Sequence, residues 1–300
     1  MTRNPKLIIG AGPTGMHTAL LLTEAGHDVK IVSRRGGTSS HPRIVQVALD
    51  ASDAQSLAAL AEGVGTIFNC AMPRYDRWPR EFPPIAAAVL RASERSGADL
   101  VTLSNVYGYG RVKGPFTESL PLAPHTVKGR VRAAMWEAAR AGGARATEVR
   151  ASDFLGHGAG SLFTLMLLPR ILRGEAASYH GDLDAAHSWT YTLDVARTLV
   201  AAAHSELSWG RAWHVPSNTA TVRELSAALA RLAGAPTPTL ATMSSAELDG
   251  LAAVDSIMRE VVEMTYLYER PCVLDSSETQ HALGVTATPL EDVLHDTLRT

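Results

Sequence analysis

Three hundred residues, 46% of them hydrophobic, suffice for one large or two modest domains with a substantial core; 28 Lys and Arg against 30 Asp and Glu leave a formal charge of -2. That balance gives no general attraction for nucleic acid, which calls for clustered excess Lys and Arg. Cys70 and Cys272 are too few and too far apart for a disulfide framework, no Cys/His spacing suggests zinc, and no apolar run suits a signal-peptide core or a membrane span, so the expectation is a cytoplasmic protein without metal or membrane that handles small molecules.

The first predicted strand, Lys6–Gly10, runs into Gly10-Ala11-Gly12-Pro13-Thr14-Gly15 and then a helix over Thr14–Ala25. In a Gly-x-Gly-x-x-Gly turn so placed, Gly10 permits the tight turn, Gly12 lets the backbone approach a pyrophosphate, and Gly15 lets the helix pack on the strand. Pro13 and Thr14 then open a helix whose N-terminus faces the phosphates. A P-loop would need Lys where Met16 stands, which disfavours nucleoside triphosphate chemistry.

The second strand, Val29–Ser33, ends at Ser33-Arg34-Arg35-Gly36, where an acidic residue would hold the ribose 2′-hydroxyl of NAD. Two guanidiniums and a hydroxyl suit a 2′-phosphate instead, so NADP(H) is the expected cofactor, although the two arginines also fit a solvated basic turn. After the third strand, Ile44–Leu49, Asp50 is a candidate contact to the adenine amine and Asp53 a helix cap.

Helix Asp53–Glu62, strand Thr66–Cys70, helix Pro84–Ser96, strand Leu100–Ser104, helix Val127–Ala141 and strand Ala146–Ala151 continue the alternation. Such alternation predicts an α/β fold: a doubly wound parallel sheet with right-handed crossovers and helices on both faces. Beyond Phe154 the regularity falls. His157–Gly160, the apolar Leu162–Leu172 and Pro236–Thr239 look like insertions and connections, and Val222–Ala233 and Ile257–Tyr268 look helical. The Met/Tyr stripe of the last segment suits core packing or an apolar pocket wall. The expected division is a dinucleotide-binding domain over 1–154, rejoined by about 190–205, and a smaller discontinuous substrate-binding cap from 155–189 and 206–300.

Along almost its whole length the chain resembles the extended and atypical short-chain dehydrogenases/reductases, including the NAD(P)-dependent epimerase/dehydratase group. The likeness lies in Gly10–Gly15, in Asn69-Cys70-Ala71, in Ser104–Gly110, in Arg150–Gly156 and in Thr190–Ala196. The resemblance implies a Rossmann-type fold, with Cys70, Ala71 and Ala151 beside the cofactor. It also implies a catalytic set of Ser or Thr followed by Tyr-x-x-x-Lys, and here that set is damaged. Lys128 fits the lysine that holds the nicotinamide ribose, but Pro124 stands where the tyrosine should. Matching Tyr109-Gly110 to the family's Tyr-Gly puts Asn105 at the serine position; matching Tyr107-Gly108 puts Leu103 there, with Ser104 beside it.

Without the tyrosine, protonating the alkoxide needs a replacement acid, water, or a neighbouring hydroxyl on the substrate; general acid catalysis is worth about 10²–10⁴-fold. Asn105, Ser104 and Tyr107 are candidates to orient or stabilise the substrate oxygen, and His125 is a further candidate donor. Met72, Tyr107, Phe154, His187 and Trp189 are candidate substrate contacts. The chain is similar to atypical reductases of antibiotic pathways that act on angucyclinone-like aromatic polyketides. The leading expectation is therefore an NADPH-dependent ketoreductase for such a substrate, with a homo-oligomer left open. The alternatives are a redox-neutral nucleotide-sugar epimerase or dehydratase, and a non-catalytic NADP-binding sensor or scaffold.

Overall fold

A computed structural model describes residues 4–299. Short Val/Ile/Leu-rich runs form parallel strands, mostly buried except at the edge strand β3: β1 (Lys6–Ile9), β2 (Val29–Ser33), β3 (Ile44–Ala48), β4 (Thr66–Asn69), β5 (Asp99–Asn105) and β6 (Ala146–Ala151). Between them lie α1 (Pro13–Glu24), α2 (Ala54–Leu60), α3 (Trp78–Ser96) and α4 (Val127–Ala141). Asp53 caps α2, its carboxylate accepting the N–H groups of Gln55 and Ser56. α3 begins at Trp78, earlier than expected, with Pro79 tolerated in its first turn and Trp78 Nε1–H donating to the Pro73 carbonyl.

The remaining elements are β7 (Asp153–Leu155), α5 (Leu168–Leu172), β8 (Ala177–Tyr179), β9 (His187–Tyr191), α6 (Thr192–His204), β10 (Ala212–His214), β11 (Asn218–Ala220), α7 (Val222–Ala233), β12 (Leu240–Thr242), α8 (Ser245–Val254), α9 (Ser256–Val262), α10 (Ser277–Leu283) and α11 (Leu290–Thr297). The main sheet has seven strands in the order β10-β6-β5-β4-β1-β2-β3. This is the Rossmann-like α/β architecture, and the strand order reverses between β1 and β4. One apolar layer joins the sheet to α1 and α6, the other to α2, α3 and α4.

Two expectations need correction. Ala212–His214, assigned from sequence to the cap, is the seventh main-sheet strand, paired with Glu148–Arg150 of β6, and α10 packs against it. A three-residue strand carries too little pattern to announce its partner. Second, Ile257–Tyr268 is broken into α9 and a 3-10 turn over Thr265–Leu267. The cap has its own core, in which Phe163, Trp189, Leu225, Tyr266 and Tyr268 meet, and its small sheet orders β11-β9-β7. β7 begins two residues after β6 ends, so the chain passes from sheet to cap at Ser152.

Candidate functional site

The site begins at the β1/β4 crevice, where ligands of doubly wound sheets bind. Gly10 has φ +108°, and a Cβ there would lie 2.6 Å from the Cys70 carbonyl oxygen. A Cβ at Gly15 would lie 2.0 Å from the Gly10 oxygen, so both glycines are required by close backbone packing. A Cβ at Gly12 would meet no protein atom within 4 Å. Packing therefore does not explain that glycine, whereas an approaching pyrophosphate does. Gly12 is the N-cap of α1, Pro13 opens the helix, and no acidic residue stands in its first turn, so its N-terminal field is available to an anion. These features fit a dinucleotide.

At the adenosine end, Arg34 and Arg35 are exposed and carry no ion pair among the described residues, while Ser33 Oγ donates within its own turn to Gly36. Asp50 is exposed and accepts from the Ser52 N–H and hydroxyl, bonds that hold its carboxyl below the usual range.

From the glycine turn a cleft of about 350 Å³ runs beneath the cap. Gly12, Pro13, Thr14, Gly15, Cys70 and Ala151 line its cofactor end; Ser104, Asn105, Tyr107, Met72, Phe154 and His187 line it further in. The structure brings these twelve sequence candidates to one cleft. Ala71 lies just outside, its N–H donating to the Asn69 side chain. Asn105 spends its side-chain oxygen on the Tyr107 N–H, capping the 3-10 turn over Val106–Tyr109.

Three candidates fall elsewhere. Trp189 is 1% exposed, packs edge-on against Phe163 and donates its indole N–H to the Ala220 carbonyl, which makes it cap core. His125 is exposed and leans on Tyr266. Lys128 is fully buried outside the cleft lining, its ammonium bonded to Glu260 and Glu263 beside the Tyr75 ring. Glu263 also accepts the backbone N–H groups of Val127 and Lys128, so a cap carboxylate closes the N-terminus of α4.

The polar lining residues that sequence reasoning did not single out include Arg132, Asp153, Tyr75 and Tyr268. Arg132, four residues after Lys128 and hence one helical turn along, lines the cleft, with its Nη1 donating to the Leu103 carbonyl at 3.3 Å. The i, i+4 spacing from Lys128 was the available signal. Asp153 accepts from His187 Nε2–H at 2.7 Å and from the Tyr268 hydroxyl at 3.3 Å. The Tyr75 and Tyr107 hydroxyls face each other at 3.4 Å. Burial, reinforced for Tyr107 by Asp153, pushes both phenols above their ordinary range, so they remain neutral hydrogen-bonding groups at physiological pH and reluctant acids. Beyond this cluster the wall is mainly apolar, interrupted by the uncharged Ser104, Asn105, Ser152, Ser161 and Thr192, and among the described lining residues Arg132 is the one Lys or Arg and Asp153 the one carboxylate.

A family profile described as NAD dependent epimerase/dehydratase matches residues 7–214, from β1 through β10. Among solved structures, the chain is similar to the UDP-glucose 4-epimerase of Thermotoga maritima, in a structure with UDP-glucose, at 19% identity, 98% of this chain, 97% of that chain and TM-score 0.78. It is similar to DesIV, the dTDP-glucose 4,6-dehydratase of Streptomyces venezuelae, with NAD and TYD bound, at 20% identity, 98% and 96% coverage and TM-score 0.78. It is also similar to MoeE5, in complex with UDP-glucuronic acid and NAD, at 22% identity, 98% and 97% coverage and TM-score 0.77. At such identities the likeness is one of fold. No curated protein matched.

Proposed function

The chain belongs to the NAD dependent epimerase/dehydratase family, and within it we propose that this protein is an NADP(H)-dependent ketoreductase acting on a bulky aromatic ketone of the angucyclinone polyketide type. One observation carries the reading. The cleft leads from a glycine turn that fits a dinucleotide into a mainly apolar wall, and Pro124 stands where the family resemblance would put a tyrosine.

Gly10, Gly12 and Gly15 with the N-terminus of α1 would hold the pyrophosphate, and Arg34 and Arg35 a 2′-phosphate. When bound, the reduced nicotinamide supplies hydride to the carbonyl carbon. Met72, Phe154 and Tyr75 offer apolar surface against which a fused aromatic system would pack and exclude water. The proton is assigned to a neighbouring substrate hydroxyl or water, because the raised phenols of Tyr75 and Tyr107 are poorly matched to general acid work. Asp153, which can only accept when ionised, would favour a substrate that presents a hydroxyl.

The family match and the three neighbours favour a second reading, redox-neutral epimerisation or dehydration of a nucleotide sugar. Two features oppose it: that chemistry usually draws on the tyrosine as base, and a second diphosphate would meet Asp153 with Arg132 as the only Lys or Arg among the described lining residues to receive it. NADPH oxidation followed at 340 nm with hydroxylated aromatic polyketide ketones, set beside chromatographic detection of altered sugar after incubation of UDP- and dTDP-sugars with oxidised dinucleotide, decides between them. Oxidation with the ketones is expected. Sugar turnover with no ketone turnover would replace this reading with the second, and cofactor binding without either would point to a sensor.

A further inference from the structure

Among the described residues three Lys or Arg side chains are buried: Lys128, Arg132 and Arg150. Two are neutralised, Lys128 by Glu260 and Glu263 and Arg150 by Glu148. Arg132, 2% exposed, has no carboxylate within ion-pair distance among the described residues. Its Nε–H has no partner, Nη1 reaches the Leu103 carbonyl, and Nη2 reaches only the Met72 sulfur at 3.8 Å. Trp78 and Phe82 hold the guanidinium, with centroids at 4.7 and 4.3 Å. Burial draws its pKa down to about 10, opposed by the more distant charge of Glu148, the ion-pair partner of Arg150, and this leaves it charged at neutral pH.

An unpaired buried cation is costly, and apolar packing alone would be served better by a neutral side chain. Here the charge is fixed in orientation by two rings and a carbonyl, and it lines the cleft beside Leu103 and Met72, next to the cofactor end. Such a preorganised charge is suited to an oxygen that becomes negative during reaction, because it needs no reorientation when the charge develops.

We propose that Arg132 is a catalytic residue whose guanidinium stabilises the negative charge arising on the substrate oxygen, replacing by electrostatics what the missing tyrosine would do by proton transfer. The proposal rests on the ketoreductase reading. A hydride taken from the reduced dinucleotide forms the new C–H bond, and the carbonyl π pair moves onto oxygen. The resulting alkoxide is protonated by an adjacent substrate hydroxyl or water, the dinucleotide is left oxidised, and Arg132 keeps its own protons throughout.

The test uses the full chain with two variants, Arg132→Met and Arg132→Lys, and a readout independent of turnover. The probe 1,8-dihydroxyanthraquinone changes its visible absorption when a phenol ionises. Bound to the wild type it should ionise at lower pH than when free, and Arg132→Met should abolish that displacement. With NADPH and an aromatic ketone, Arg132→Met should lower kcat by about 10²–10³-fold while NADPH affinity changes by less than about threefold. Arg132→Lys should keep the probe displacement and recover part of kcat; if Arg132→Met does not fold, this variant decides, since an unaltered kcat would overturn the proposal. Probe ionisation that is not displaced in the wild type, or a loss confined to NADPH affinity, also overturns it. Wild type that oxidises no NADPH with any aromatic ketone sinks the ketoreductase reading instead, and the probe titration still reports on the Arg132 charge by itself.

Discussion

At Gly12 and Gly15 the same substitution should have opposite consequences. Gly12→Ala places a methyl where no protein atom lies within 4 Å, at an ordinary φ of -75°. It should leave the melting temperature nearly unchanged while weakening dinucleotide binding by more than about tenfold, about 1.4 kcal/mol. Gly15→Ala drives a methyl to 2.0 Å from a backbone oxygen and should destabilise the apo protein by at least about 2 kcal/mol. Equal melting temperatures for the two variants would contradict the assignment. Two histidines set the acid limit. His214 donates Nδ1–H to the Asp275 carbonyl and accepts from the Tyr109 hydroxyl at Nε2, an arrangement made for the neutral ring, and burial lowers its pKa to about 4. Burial lowers His180 to about 4 as well. A depressed folded-state pKa means that below about 6.5 the unfolded chain binds protons the native state refuses, so stability present above that pH is lost as pH falls towards about 4. Melting temperature against pH should show this loss. His180→Phe should make it shallower, because the ring packs against Tyr179 and Tyr268 and its Nε2 has no partner.

Helix α4 concentrates the element-scale energetics. Its limits, Val127–Ala141, are legible from composition, and Thr126 caps it by accepting the Gly129 N–H. The fate of its charges is not legible, because Glu260 and Glu263 lie 132 and 135 residues from Lys128. Losing both carboxylates in a Glu260→Gln, Glu263→Gln double variant strands a buried ammonium and should cost about 3–5 kcal/mol. Lys128→Met should cost less, since both glutamates are partly exposed and can return to water. Urea unfolding measures both, and a larger loss for Lys128→Met would refute the asymmetry. Trp189 illustrates the converse difficulty. Position in the chain suggested a cleft residue, yet pairing of β9 between β7 and β11 turns the indole into the cap core, where Ala220 takes its N–H.

For the whole molecule, cofactor binding is coupled to stability because the turn and the cleft it opens onto exist only in the folded chain. A dinucleotide at 100 times its Kd should stabilise by about 2.7 kcal/mol. If Arg34 and Arg35 hold a 2′-phosphate, NADPH should raise the melting temperature more than NADH at equal concentration, and Arg34→Ser, Arg35→Ser should remove the difference. A greater rise with NADH in the wild type would reverse the cofactor preference.

By itself the amino-acid sequence determined the dinucleotide fold: β2, β6 and α4 run where local composition and spacing place them, and the glycine turn states its purpose through adjacent residues. These are short-range signals, carried by period, propensity and steric demand within a few residues. The tertiary structure decided the cap, whose three-residue strands find partners such as Asp153–Leu155 with Trp189–Tyr191 far along the chain. It also decided which cation stays unpaired. Lys128 and Arg132 are equivalent on the helix, one turn apart. Only the arrival of two carboxylates from the cap neutralises the first and leaves the second charged in the cleft, because charge compensation depends on distance in space rather than along the sequence.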